Sequence, residues 1–223
     1  MTQEQFISEI KKIGINVETD KIQKLEIYYK MLVEWNKIMN LTRITAKEDV
    51  YLKHFYDSLT IVKINDLKNV STLCDVGTGA GFPGIVLKIF FPHIKIVLID
   101  SLNKRINFLN EVIKKLELDG IEAHHVRMEE YSKTNKNVFD IITSRAVAKI
   151  PKLLNISIFS LKENGHLILL KANCDEEILN SSETLKKLNC EINNIVRFEL
   201  PFEKSNRTLI DIIKSKKRIV KNE

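Results

Sequence analysis

The chain predicts an α/β protein: a mostly parallel sheet, doubly wound by helices, that ends in an antiparallel strand and carries an N-terminal helical cap. Three observations predict it. From about residue 70, short β-branched runs alternate with helical stretches, the pattern of a parallel sheet covered on both faces. The first such run leads straight into a glycine cluster and then a helix. The last two runs, 191–198 and 208–214, have no full helix between them, so they pair antiparallel.

Residues 1–65 carry almost no strand signal and read as a cap. Over 20–40, Ile22, Leu25, Tyr28, Leu32, Trp35 and Met39 recur every three or four positions among charged residues, as an amphipathic helix requires. A second helix is expected over 46–62, with Val50, Phe55, Leu59 and Val62 inward. Residues 66–223 form the main domain. Strands are expected at 72–76, 95–99, 121–126, 139–143 and 166–171, with helices at 83–91, 103–116, 150–161 and 176–188. Trp35 is expected in the core.

Composition mostly excludes. Hydrophobic residues make up 44% and charged ones 29%, which is ordinary for a globular protein. The longest stretch without Asp, Glu, Lys or Arg, 76–87, falls well short of the roughly 20 apolar residues of a membrane span. The opening residues lack a signal pattern, and Cys74, Cys174 and Cys190 show no disulfide or metal spacing. A reduced cytoplasm, with no membrane and no metal, is the expected setting. Adjacent His124 and His125 face opposite sides of a strand and cannot chelate one ion. The net charge of +6 sits largely at the end of the chain: residues 201–223 hold 7 basic and 3 acidic side chains.

The chain has only 7 glycines, and Gly77, Gly79, Gly81 and Gly84 fall within eight consecutive residues. Within 79–84 the spacing satisfies G-x-G-x-x-G, the dinucleotide pattern, a weak signal alone. Asp75 ends the strand before the cluster, where a pyrophosphate would be repelled and the cationic amino-acid end of a ligand favoured. Asp100 ends the next strand, where a carboxylate receives both hydroxyls of a ribose. The D-x-G-x-G-x-G turn with that second acid is the signature of class I, Rossmann-like methyltransferases that use S-adenosylmethionine. At the third strand, Met128 and Glu129 stand where such folds flank the adenine, although Glu129 and Glu130 equally suit solvated acids at a helix start. Beyond the fourth strand comes Ser144-Arg145-Ala146, with neither an Asn/Asp-Pro-Pro-aromatic tetrad nor a Pro-Cys pair. An acceptor that needs no deprotonation, such as N7 of guanine, explains the missing base. Other lone-pair acceptors remain open.

The chain resembles the bacterial 16S rRNA guanine-N7 methyltransferase G family (RsmG, formerly glucose-inhibited division protein B). The matching stretches are Trp35-Asn36 with Asn40-Leu41-Thr42, His54 with Asp57-Ser58, and DVGTGAGFPG at 75–84. They continue through Asp100-Ser101 with Lys104-Arg105 and Phe108-Leu109, then Ser144-Arg145-Ala146, Gly165 to Lys171, and Arg207-x-Leu209. The resemblance implies methyl transfer from S-adenosyl-L-methionine to N7 of one guanine in the decoding-region loop of 16S rRNA, free or within the small ribosomal subunit. It implies cofactor contacts at Gly77, Phe82, Met128, Glu129 and Arg145, added to Asp75, Gly79 and Asp100 from the turn itself. The sequence names no catalytic side chain. Arg145 is the candidate for alignment, whether it meets cofactor, target base or phosphate, or only a surface partner. Asn40 and His54 either line an RNA-facing mouth or serve as helix caps and buried hydrogen bonds. Lys104 and Arg105 either hold phosphate or form a solvated helix face. Arg207 and the basic tail, with Lys216, Lys217 and Arg218, complete the candidate RNA contacts. A monomer is expected. The rival readings are a methyltransferase for another RNA, a protein or a small molecule, and a non-catalytic ribosome assembly factor.

Overall fold

The computed structural model describes residues 1–215. Its sheet has seven strands in the order β3-β2-β1-β4-β5-β7-β6. They are β1 (Thr72–Val76), β2 (Lys95–Asp100), β3 (Ile121–His125), β4 (Phe139–Arg145), β5 (Leu161–Lys171), β6 (Cys190–Glu199) and β7 (Asn206–Lys214). The first five are mutually parallel, and β7 inserts antiparallel between β5 and β6. Both the parallel sheet and its antiparallel ending match the expectation.

Alternation along the strands divides the molecule into two layers. Leu73, Ile96, Leu98, Ile141, Ile168, Leu170 and Leu209 face one side. They share a core with α1 (Gln3–Lys12), α2 (Thr19–Met39), α5 (Gly84–Phe90) and α6 (Asn103–Lys115). Cys74, Val97, Ile99, Ile142, Leu167, Leu169 and Ile210 face the other, against α7 (Met128–Thr134), α8 (Ile150–Ser157) and α10 (Ser182–Lys187). All three cysteines are buried thiols.

The cap helices contribute to the first layer directly. Phe6, Tyr28, Tyr51 and Phe55 are fully buried, and Phe55 lies 5.7 Å from Tyr28, 5.1 Å from Tyr51 and 6.1 Å from Phe82, ring centre to ring centre. Trp35 is partly buried and packs against the edge of this core, on Phe108 at 5.6 Å.

Several elements differ from the expected ones. The helix expected over 46–62 is a composite: α3 (Lys47–Val50), a π-helical turn over Tyr51–Tyr56, α4 (Asp57–Leu59) and a 3-10 turn over Thr60–Lys63. A hydrophobic pattern of period 3.6 carries no mark of such a bulge, which packing sets. The helix expected to reach residue 161 stops at Ser157. Ser160 N–H turns back to the Ser157 carbonyl, and β5 starts at Leu161 beside Phe139. The helix expected over 176–188 breaks into α9 (Asp175–Leu179) and α10, separated by buried Ser181, whose hydroxyl donates to the Ile178 carbonyl. Polar α7 carries Glu129 and Glu130 in its first turn, as their reading as helix-start acids has it.

Because cap and sheet share one core, Phe55→Ala is expected to destabilise the whole protein by about 3–5 kcal/mol. Urea denaturation followed by far-UV and near-UV circular dichroism should give one coincident transition. Separate transitions for helix and sheet would contradict the shared core.

Candidate active site

Alternation that buries Leu73, Leu98, Ile141 and Leu209 also places Asp75, Asp100, Arg145 and Arg207 on the cap side of the sheet. Asp100 and Arg145 end their strands at the carboxyl edge, where open α/β sheets form their crevice. A cavity of about 1020 Å³ opens there, walled by the glycine turn, the loop after β4, the end of β5, Arg207 and the cap.

The turn is built around a buried carboxylate. Asp75 is fully buried, and its Oδ2 accepts from Thr78 Oγ1 at 2.6 Å and from the Gly84 amide at 2.8 Å. Its Oδ1 is buried without a partner. Burial pushes its pKa up to about 6, against those two hydrogen bonds. Asp75 therefore braces the turn from inside and is not among the residues that wall the cavity.

Gly77 and Gly79 do line the cavity, with φ of +68° and +61°. A Cβ on Gly77 would overlap the Val147 side chain of the loop after β4. A Cβ on Gly79 would meet nothing within 4 Å, so it would project into open cavity space. Asp100, 3% exposed, accepts from the Gly79 amide and Arg105 Nη1, both at 3.0 Å to Oδ2, and from the Leu102 amide at 2.9 Å to Oδ1. Arg105 thus pairs with Asp100 inside the cavity wall. It does not stand on a solvated face, as one of its two expected places had it.

On the cap side Phe82, 4% exposed, stacks with His54 at 4.4 Å and 18°, and lies 5.3 Å from both the Tyr28 ring and the Arg145 guanidinium carbon. Tyr28 hydroxyl donates to the Ala80 carbonyl, tying α2 to the turn. Arg145 Nη1 donates to the Lys53 carbonyl at 2.7 Å and to Asp57 Oδ2 at 3.2 Å, and Nη2 lies 3.1 Å from His54 Nδ1. His54 Nδ1 also lies 3.1 Å from the Lys53 carbonyl, and Nε2 lies 3.1 Å from Thr42 Oγ1, so the ring is held at both nitrogens. Burial, then the Arg145 charge, pushes the His54 pKa down to about 3, so the ring is neutral at physiological pH. Arg207 Nε donates to the second oxygen of Asp57 at 3.0 Å.

Other expected site residues fall elsewhere. Met128 is buried in the opposite layer, and Glu129 is exposed at the start of α7; neither lines the cavity. Asn40 ends α2 in the left-handed conformation, φ 48°, a cap position that takes it out of the cavity wall. Lys104 donates to the Met39 carbonyl at 2.9 Å, which ties α6 to the cap and keeps it out of the wall. Lys216, Lys217 and Arg218 lie outside the described residues. Lys53 and Lys171 were not singled out by the sequence. Lys171 Nζ donates to the Ala148 carbonyl and to Glu177, both at 2.7 Å, holding the loop after β4. Lys53 is an isolated lysine in a chain with 28, and Lys171 only closes the matching stretch 165–171, with no role attached to it there.

These features accompany a family match. The model described as GidB, rRNA small subunit methyltransferase G, matches residues 21–210. The chain belongs to this family. "Ribosomal RNA small subunit methyltransferase G" of Bacillus licheniformis is 43% identical over 217 residues, covering 96% of this chain and 91% of that protein. Its namesake from Exiguobacterium sibiricum is 43% identical over 222 residues, covering 98% and 92%. Among solved structures, a SAM-dependent methyltransferase from Aquifex aeolicus shares the fold at TM-score 0.59 and 20% identity, over 78% of this chain and 97% of that one.

The family match spans the cap from α2 onward, the turn and Arg207, so the buried His54 contacts lie inside it. The sign of their pH dependence follows from the depressed pKa. The unfolded imidazole binds a proton near pH 6.5 and the folded one only near 3, so between these values the unfolded state holds more protons and stability rises with pH. The stability difference between the native protein and His54→Asn should therefore grow by about 1.4 kcal/mol per pH unit across that window and level off above it. Urea denaturation at a series of pH values checks this, and the subtraction cancels the opposite contribution of Asp75. A flat difference would mean that His54 titrates normally.

Proposed function

We propose that the protein methylates N7 of a guanine in the decoding-region loop of 16S rRNA, using S-adenosyl-L-methionine. The observation that carries this reading is a family match running through both the glycine turn and the arginines of one cavity. The donor set fits the cofactor. Gly79 leaves open the space that a side chain would fill, and Asp100 presents a carboxylate at the end of β2, suited to ribose hydroxyls. When bound, S-adenosylmethionine supplies an electrophilic methyl group on a sulfonium sulfur.

The chain's own residues then have binding and alignment to perform. Gly77 and Gly79 let the backbone approach the ligand closely, and Asp75 holds them in place through Thr78 and Gly84. Guanine N7 presents an in-plane lone pair, so no residue has to remove a proton. The neutral, already hydrogen-bonded His54 is consistent with that. Rate acceleration comes from orientation and electrostatics. The acceptor is anionic, and the cavity wall suits it: Lys53, Arg105, Arg145, Lys149, Lys171 and Arg207 outnumber Asp57, Asp100 and Glu177 by three charges. The roles of Phe82 and Arg145 toward cofactor and acceptor, and of residues 1–65 as the substrate-side cap, belong to the same proposal. So do a monomeric state and a cytoplasmic location, where the ribosomal acceptor is found. Among the described residues no helix is long and apolar enough to cross a membrane.

Two measurements test the reading. Asp100→Ala should weaken S-adenosylhomocysteine binding by about 10–100-fold in calorimetry, the worth of a charge-assisted hydrogen bond; unchanged affinity would remove the ribose role. Mass mapping of 16S rRNA from a strain lacking the gene should show the loss of one N7-methylguanosine. Unaltered content of that nucleoside would reject the acceptor.

A further inference from the structure

One carboxylate in the cavity wall joins elements that are distant in the chain. Asp57 is 4% exposed, and each of its oxygens takes a different guanidinium: Oδ2 that of Arg145 from the end of β4, Oδ1 that of Arg207 from β7. Neither guanidinium is free to turn. Arg145 is also held by the Lys53 carbonyl, His54 Nδ1 and the Phe82 ring. Arg207 Nη1 donates to the Asn206 carbonyl at 2.9 Å. The two arginine side chains are 16% and 20% exposed, so both sit mostly within the wall.

The charge arithmetic makes Asp57 a surprising partner for residues that meet RNA. Arginines attract phosphate without help, and a carboxylate between them cancels one of their two charges. Its presence therefore weakens attraction and strengthens orientation. Orientation matters for a guanidinium, whose donors form a rigid planar fork. It matters most in a reaction that depends on alignment with no proton transfer to assist it.

Building on the methyl-transfer reading above, we infer that Asp57 is a positioning residue for the acceptor: it sets the planes of Arg145 and Arg207, against which the target nucleotide is aligned. Its carboxylate serves turnover at the expense of RNA attraction. A merely architectural role would give a different pattern, in which activity, cofactor binding and folding decline together.

The test uses the full chain, with Asp57→Asn and labelled methyl transfer to small-subunit rRNA. The amide keeps the size of the side chain, removes its charge and turns an N–H₂ group toward one arginine. At saturating RNA, kcat should fall at least about tenfold while KM for RNA stays level or drops. Affinity for S-adenosylhomocysteine should fall by less than kcat does, since the hydrogen bonds that hold the glycine turn run to Asp75 and Asp100 and not to Asp57. Asp57→Glu, which keeps the carboxylate, should recover part of kcat. A native kcat with only KM changed would make Asp57 an electrostatic residue and overturn the inference. Parallel losses of kcat, cofactor affinity and melting temperature would also overturn it.

If Asp57→Asn does not fold, Arg207→Lys carries the same test, because it keeps the charge and loses the fork. A fall in kcat with KM unchanged supports the inference, and a native kcat rejects it. Failure of the methyl-transfer reading itself would appear separately, as a native protein that transfers no methyl to any RNA. In that event the Nε–Hε resonance of Arg207 decides. Slow solvent exchange in the native protein, lost in Asp57→Asn, supports fixed planes, and fast exchange in the native protein overturns them.

Discussion

The pairing of buried Asp57 with Arg145 and Arg207 is the contact on which the cavity's shape depends. It is the point where the cap, the end of β4 and β7 meet, and none of these elements is near another in the chain. A buried ion group of this kind is not a cheap source of stability, because desolvation offsets most of the Coulomb attraction. Loss of one partner is another matter, since it leaves an uncompensated charge and costs about 3–5 kcal/mol. The arrangement thus contributes little to net folding energy and strongly favours one geometry. The hydrophobic core beneath it, shared by Tyr28, Phe55, Phe82 and Phe108, supplies the stability that lets the polar layer exist.

The glycine turn follows the same logic on a smaller scale. Asp75 is buried with one oxygen satisfied twice and the other unpartnered, and its raised pKa records the cost. In return, the Thr78 hydroxyl and the Gly84 amide are held by one atom, which fixes the turn between β1 and α5. Asp100 repeats the device on the next strand by accepting from Gly79. Two carboxylates, on adjacent strands and the same face, thereby define the curvature of the backbone that borders the cavity.

Electrostatics looked different once the chain was folded. By composition the positive surplus belongs to the last 23 residues, and the body of the chain is nearly balanced. In space, six cations and three anions gather round one cavity from five separate stretches of sequence. Local balance along a chain says nothing about which side chains converge. Convergence is set by strand order and by the face on which each residue lies.

Strand–helix alternation, the covering of both sheet faces and the antiparallel ending were all legible, because period and turn chemistry are local properties. Gly77, Gly79 and Asp100 were legible for the same reason: a strand, a glycine turn and a helix in succession place them without reference to anything remote. The π-helical turn at Tyr51–Tyr56 was not, since it arises from packing of the cap against the sheet. The surroundings of Asp75, Met128, Asn40 and Lys104 were not legible, because position near a motif does not reveal which way a side chain points or what it meets. By itself, then, the sequence determined the fold class, the turn and the family, each written in short-range pattern and ordered motifs. Only tertiary structure decided that Asp57 holds two arginines, that Arg105 pairs with Asp100, and that His54 is a buried neutral ring. Those facts depend on contacts as much as 150 residues apart, and on burial that no local pattern encodes.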